Sequence, residues 1–386
     1  MARSPASWPT ASSSGSHAHR MSVSPQSKRT ASSNARLRYR DVARRILWAS
    51  LALAPATIAV RYVANPGNTA LFVLAAVALI PLAWLIGETT EHAAEHTGPG
   101  VGGFLNASFG NAPELIIALF AIGNGLPQVV RGSLAGSVIS NLLLVFGVAQ
   151  AVGPEKSLDR RSLFAQLGLC GAAVLLFVPA VVLGYTGPSE RHAAALVSVP
   201  ISVALLVLYL AVTGRNLRRH SRLERAAAAE SAWPLPLALT VLGVATLATA
   251  IVSEILVHSL KGFASAIGAS EFFIAAVIVA IVGNAAEHGG AVVIARAGKM
   301  KLASEIAVSS SAQVALLVVP AVMLLSLLFT HELPLSFRWE ELAAMAGAVG
   351  LAGATIANGR SSRREGMLLI VAYVLVALGF LAAGNR

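Results

Sequence analysis

The chain has 386 residues, of which 56% are hydrophobic and only 12% charged, with a mean hydropathy of +0.71. Soluble domains run at roughly 45–50% apolar and about 25% charged, so one or two soluble globular domains are excluded and a polytopic helical membrane protein fits. The net charge of +11 is concentrated at the start: residues 1–45 hold Arg3, Arg20, Lys28, Arg29, Arg36, Arg38, Arg40, Arg44 and Arg45 against Asp41, leaving +3 for everything after them.

That Ser-rich basic tail, 1–45, has too few apolar residues to bury a core and is expected to be disordered. It reads as a topology-setting, lipid-attracted segment rather than a nucleic-acid arm. An Arg- and Ser-rich, acid-poor start also has the character of an organellar transit peptide, with Met21 as an alternative start. The single cysteine, Cys170, lies in an apolar run, where it fills space and forms no internal disulfide.

Apolar spans of about twenty residues follow one another with short breaks. Eleven are predicted, at 46–62, 69–94, 101–122, 129–152, 162–183, 192–213, 236–258, 270–295, 303–328, 340–357 and 366–383. The first stands alone; 69–213 forms one five-helix repeat, 214–235 a basic cytoplasmic linker with Arg215, Arg218, Arg219, Arg222 and Arg225, and 236–386 the second repeat. With the N-terminus inside, the inner loops collect those five arginines and Lys156, Arg160, Arg161, Arg296, Lys299, Lys301, Arg360, Arg363 and Arg364. The outer loops hold only Arg61, Arg131, Arg191, Lys261, Arg338 and Arg386. The excess of positive charge inside sets this orientation.

Two segments repeat. Gly110-Asn111-Ala112-Pro113-Glu114 and Gly283-Asn284-Ala285-Ala286-Glu287 share four of five positions at an offset of 173. The register continues, since Ser137 and Ser310 each follow their glutamate by 23 residues, and Ser140 and Gln313 by 26. The copies lie on the third and eighth spans, which cross in opposite directions. Inverted repeats meeting at a midplane site are the architecture of many secondary transporters.

The repeated residues are polar where polarity is costly. Glu114 and Glu287 sit mid-span, where a charge costs roughly 2.5–3.5 kcal/mol on insertion scales, and such residues mark ion paths. Asn111 and Asn284 lie three residues before them, on the same helical face. With Ser137, Ser140, Ser310 and Gln313 they form an all-oxygen donor set, which among common cations suits Ca2+ best. Two carboxylates without a metal repel one another and are relieved by protons, so cation and proton compete for one site. Pro113 is expected to free a backbone carbonyl inside its helix, and Gly283 to supply any kink in the second copy. Glu91 and Glu254, toward opposite ends of the second and seventh spans, are candidate proton half-pathway or gate residues, and His288 a candidate titrating neighbour. His92-Ala93-Ala94-Glu95-His96 matches a zinc-hydrolase pattern, but no third ligand of comparable context is evident, and the chain is read as a transporter, not an enzyme.

At "GNAPELIIALFAI" (110–122), "GSVISNLLLVFG" (136–147), "GNAAEHGGAVVIA" (283–295), "SSSAQVALLVV" (309–319) and "PLAWLIGETTEHAA" (81–94) the chain resembles the calcium/proton antiporter, or cation exchanger, family of the cation/Ca2+ antiporter superfamily. The resemblance covers nearly everything from residue 40 onward. It implies an all-α membrane protein exchanging Ca2+ for H+ by alternating access. Glu114 and Glu287 would be the exchanging carboxylates, Asn111, Asn284, Ser137, Ser140, Ser310 and Gln313 the polar ligands, and Glu91 and Glu254 the acids of the second and seventh spans. Asn111 and Asn284 replace the glycine-threonine-serine pattern of sodium/calcium exchangers, which argues for proton coupling. The linker is arginine-rich where many relatives are acidic, Ser309 replaces a usual glycine, and Pro113 is uncommon at its place. Na+/H+, K+/H+ and Na+/Ca2+ exchange within the superfamily, Mn2+ as cargo, and a passive cation channel are the alternatives. The expected partners are membrane lipid and inorganic cations, with no nucleic acid and no cofactor; the oligomeric state is left open. Five lysines against twenty-four arginines suggest a GC-rich genome and a bacterial inner membrane.

Overall fold

The computed structural model describes residues 45–64, 66–184, 191–220, 233–329, 333–335 and 337–384. The basic tail up to residue 44 and most of the arginine-rich linker, with Arg222 and Arg225, lie outside the described residues. The fold is taken from Ser50 onward. It is helical throughout, with a single-residue bridge between Ser157 and Arg360 as the β-type pairing among the described residues.

In chain order the helices are α1 (Leu53–Val63), α2 (Asn68–Gly110), α3 (Ala112–Gly123), α4 (Pro127–Ile139), α5 (Phe146–Val152), α6 (Arg160–Gly184), α7 (Arg191–His220), α8 (Leu235–Ile267), α9 (Glu271–Phe273), α10 (Ala280–Gly283), α11 (Ala285–Arg296), α12 (Met300–Gln313), α13 (Val319–Ser326), α14 (Trp339–Ile356) and α15 (Arg363–Ala383). Helices suit this sequence because a bilayer interior supplies no water to satisfy backbone groups. Exposed side chains such as Leu175, Leu247, Val244 and Leu375 cover the outside of the bundle, a surface a soluble protein would not present.

Among the described residues eight helices are long and apolar enough to cross a membrane, or nine if the bent pair Glu271–Gly283 and Ala285–Arg296 is one span. The two remaining expected spans fall on α3, of 12 residues, and α14, of 18. The stretch apolar enough to cross a membrane stops at Thr97, as the expected separation of 69–94 from 101–122 requires, while the helical turns of α2 go on through that place for 43 residues in all. A straight helix of that length would reach about 64 Å, twice a bilayer core of about 30 Å. It does not run straight: a Cβ added to Gly102 would lie 3.1 Å from the Cβ of Ala94, residues that a straight helix holds roughly 12 Å apart. The chain therefore doubles back between them without losing its helical turns.

The two halves correspond. α2 and α8 pack antiparallel, with the Phe72 and Phe263 rings stacked at 4.2 Å near one end and His92 stacked on Trp233 at 4.9 Å near the other. π-helical turns follow α4 at Ser140–Val145 and α12 at Val314–Val318, equivalent places under the 173-residue offset. The Ser311 hydroxyl donates to the carbonyl of Val138, its own counterpart, at 3.3 Å, so the axis relating the halves passes between α4 and α12. These two spans are the most buried in the bundle. α4 also packs closely on the span beginning at Glu271: a Cβ added to Gly136 would collide with the carbonyl oxygen of Ala276.

One end of the bundle is tied by three loops. The Lys156 ammonium donates to the Gly298 carbonyl at 2.9 Å, the Ser361 amide to the Lys156 carbonyl at 2.8 Å, and the Leu158 amide to the Gly359 carbonyl at 2.9 Å. At the other end the Leu335 amide donates to the Ser198 hydroxyl at 2.9 Å, and Arg338 lies over the Phe272 ring at 5.7 Å.

Candidate cation site

Both repeated motifs break their helices at the asparagine. α2 ends at Gly110 and α3 starts at Ala112, with Asn111 between them at φ −103°, ψ 17°; α10 ends at Gly283 and α11 starts at Ala285, with Asn284 at φ −93°, ψ 19°. The second break bends its span by 60°. Pro113 and Gly283 were expected to create these features. The backbone conformation is the same in the copy that has Ala286, so the asparagine is the breakpoint and the proline only follows it. Pro113 sits in the first turn of α3, where a missing N–H has no intrahelical partner to lose.

Each break places a glutamate in the first turn of a new half-helix, Glu114 in α3 and Glu287 in α11. The positive end of the helix dipole acts on a carboxylate there. Glu114 is 6% exposed, and neither of its oxygens has a hydrogen-bond partner. A Cβ added to Gly283 would lie 3.2 Å from Glu114 Cγ and 3.6 Å from Cδ, so the acid of the first motif rests on the backbone of the second. Glu287 is half-buried, and its charge acts on Glu114. A buried, unpaired carboxylate costs several kcal/mol, a cost that a bound cation or a proton removes.

The amides bridge the halves. An asparagine before a helix normally caps it with its side-chain oxygen, yet neither Asn111 nor Asn284 does so. Asn111 Nδ2 donates instead to Gln313 Oε1 at 3.1 Å, and Asn284 Nδ2 to the Ser137 hydroxyl at 2.8 Å and to the Ala280 carbonyl at 2.8 Å. The Ser310 hydroxyl donates to the Ile306 carbonyl at 2.8 Å and the Ser140 hydroxyl to that of Ser137 at 3.3 Å. With their hydrogens turned to backbone, these hydroxyls present lone pairs to whatever faces them.

Of the predicted residues, Asn111, Glu114, Ser137, Ser140, Asn284, Glu287, Ser310 and Gln313 therefore lie on the broken helices and on α4, the π-helical turn after it and α12 against them. His288 is half-buried beside Glu287, with Nε2 unpaired. Glu91 and Glu254 do not join the cluster: both are exposed, on α2 and α8 toward opposite ends of that antiparallel pair. His92 is occupied by the Trp233 ring and stands 3.9 Å from Glu88 and Glu95, while His96 Nε2 meets the Trp233 carbonyl at 2.7 Å. Among the described residues no group of three or more His, Cys, Asp or Glu is arranged to hold a metal. Sequence reasoning missed Asn141, whose Nδ2 donates to Asn284 Oδ1 at 3.1 Å. A polar residue inside "GSVISNLLLVFG" was its signal, but its repeat counterpart is Val314, so the common offset did not mark it.

A model of the sodium/calcium exchanger protein family matches residues 67–217 and 237–382. The chain belongs to that family. It is 39% identical over 326 residues to the Ca2+/H+ antiporter ChaA of Bacillus subtilis, covering 81% of this chain and 92% of that one. It is 33% identical over 336 residues to a Ca2+/H+ antiporter of Aphanothece halophytica, covering 81% and 90%. Among solved structures, native YfkE superposes with a TM-score of 0.76 at 35% identity, over 87% of this chain and 99% of that chain. The H+/Ca2+ exchanger CAX superposes at 0.67 with 15% identity, over 88% and 92%, which shows the shared exchanger fold. The chain is thus an all-α polytopic membrane protein of the exchanger family.

Proposed function

We propose that this protein is a secondary active Ca2+/H+ antiporter. The carrying observation is Glu114, whose two buried oxygens lack hydrogen-bond partners while the carboxyl rests against the second motif, within electrostatic reach of Glu287. Ca2+ takes six to eight flexible oxygen ligands; here two carboxylates balance its charge, and Asn111, Ser137, Ser140, Asn284, Ser310 and Gln313 are the neutral oxygen groups around them. When Ca2+ leaves, protons take its place on the carboxylates, and either cargo stabilises the site enough for it to face the other side. The names of the relatives from Bacillus subtilis and Aphanothece halophytica, both Ca2+/H+ antiporters, support this cargo pair.

In this reading Glu91, Glu254 and His288 serve proton movement, one acid on each side of the site. The end of the bundle tied by Lys156, Gly298 and Ser361 is cytoplasmic, because it carries the excess of Lys and Arg, and the membrane is the plasma membrane of a bacterium. The same-side contacts of the loops at 153–159, 297–299 and 357–362 support this threading, since eleven crossings put all three inside.

The test is transport in everted membrane vesicles. An imposed pH gradient is expected to drive Ca2+ uptake that a protonophore collapses, and Glu114→Gln or Glu287→Gln to abolish it while the protein still inserts. Ca2+ flux indifferent to the protonophore and following only its own gradient would identify a channel. Uptake that fails when Na+ is replaced by choline would identify sodium coupling.

A further inference from the structure

The two motif asparagines are held differently. The Ala280 carbonyl can only accept a hydrogen bond, so the side-chain nitrogen of Asn284 must face it, which fixes the orientation of that amide. Its second N–H goes to Ser137, and its oxygen therefore points at Asn141, which must present its own nitrogen. Ser137, Asn141 and Asn284 are all buried, at 1%, 0% and 1% exposure. Asn111 in the first motif donates to the Gln313 side chain. The residue equivalent to Asn141 on that side is Val314, which has no donor to offer.

We propose that Asn141 is a positioning residue for cation binding: by holding the Asn284 amide it fixes the second helix break, and with it the start of the half-helix that carries Glu287. This rests on the antiport reading above and deepens it, because it makes the two halves of one site unequal. The second motif is braced through Asn141 and Ser137, whereas the first meets the Gln313 side chain across the halves. Asn284 then holds its oxygen in one fixed orientation, its amide nitrogen already committed to Ala280 and Ser137 and one lone pair of that oxygen to Asn141. The remaining oxygen of Asn141, Oδ1, is buried without a hydrogen-bond partner, and the experiment distinguishes bracing through Nδ2 from direct contact of that oxygen with the cation.

The experiment measures Ca2+-dependent transport at fixed pH in everted vesicles for the unchanged protein, Asn141→Leu and Asn141→Asp, with folded protein quantified by size exclusion in detergent. Leucine keeps the approximate volume and removes the donor; ionised aspartate keeps the shape and also lacks it. Both are expected to raise the KM for Ca2+ about tenfold while the maximal rate stays within about twofold, the size expected when one buried acceptor loses its partner. Should both variants fold poorly, Asn141→Ser, with a shorter donor, is measured in their place and is expected to give an intermediate KM. An Asn141→Asp protein with unchanged or lower KM means that this side chain meets the cation itself and overturns the bracing role. Loss of maximal rate with KM unchanged, or no change in any variant, overturns it as well. Failure of the unchanged protein to move Ca2+ against the pH gradient sinks the antiport reading instead, so the two outcomes are separable.

Discussion

Glu114 reaches its place because a helix stops at Gly110 and a new one starts at Ala112, leaving the carboxyl in the first turn and against Gly283. Residue 283 has room for a methyl only if Glu114 gives way. Gly283→Ala would put a methyl 3.2 Å from Glu114 Cγ, closer than ordinary contact, and the acid must shift by tenths of an ångström. Small displacements of a binding group are expensive in function, so the KM for Ca2+ is expected to rise roughly tenfold, measured by initial rates of uptake. The eight polar residues were legible in the sequence because each stands in an apolar span and recurs, in kind or in position, after 173 residues. Asn141 was not, since recurrence was the filter and Val314 breaks it. Glu91 and Glu254 were legible as acids near span ends, but their exposure on opposite ends of α2 and α8 depends on how those helices pack.

At the level of elements, the break itself is a property of the asparagine-centred motif and not of proline. Pro113→Ala is therefore expected to leave transport within about twofold of the unchanged protein, because Ala286 already occupies that place in the second copy, whose asparagine has nearly the same backbone angles as Asn111. Abolished transport in that variant, with normal insertion, would return the kink to the proline. The π-helical turns at Ser140–Val145 and Val314–Val318 could not be read from the sequence, because one extra residue per turn leaves no mark in residue type. The close crossing of α4 was hidden as well: Gly136 looks like any small residue in a membrane helix, yet it faces the Ala276 backbone. Gly136→Ala, which leaves no side chain free to move aside, is expected to cost about 1–3 kcal/mol of stability, visible as a lower unfolding temperature in detergent.

For the whole molecule, the hydropathy runs and the 173-residue offset made the helical class and the paired motifs legible, while span boundaries needed the structure. Residues 69–94 and 101–122 read as two spans; helical turns run on between them, the chain folds back near Gly102, and the second stretch is broken at Asn111. The threading has a direct check, eased by the lone buried Cys170. In a Cys170→Ser background, Lys299→Cys is expected to react with a membrane-impermeant maleimide only from the cytoplasmic face, and Asn124→Cys only from the opposite face. Labelling of both from one face would overturn the orientation. The centre of the account is competition between Ca2+ and protons on Glu114 and Glu287. Its most direct measurement is proton release on adding Ca2+ to purified protein in weakly buffered detergent solution. Release that saturates with Ca2+ and disappears in both Glu114→Gln and Glu287→Gln is the predicted result; Ca2+ binding with no proton release would contradict it.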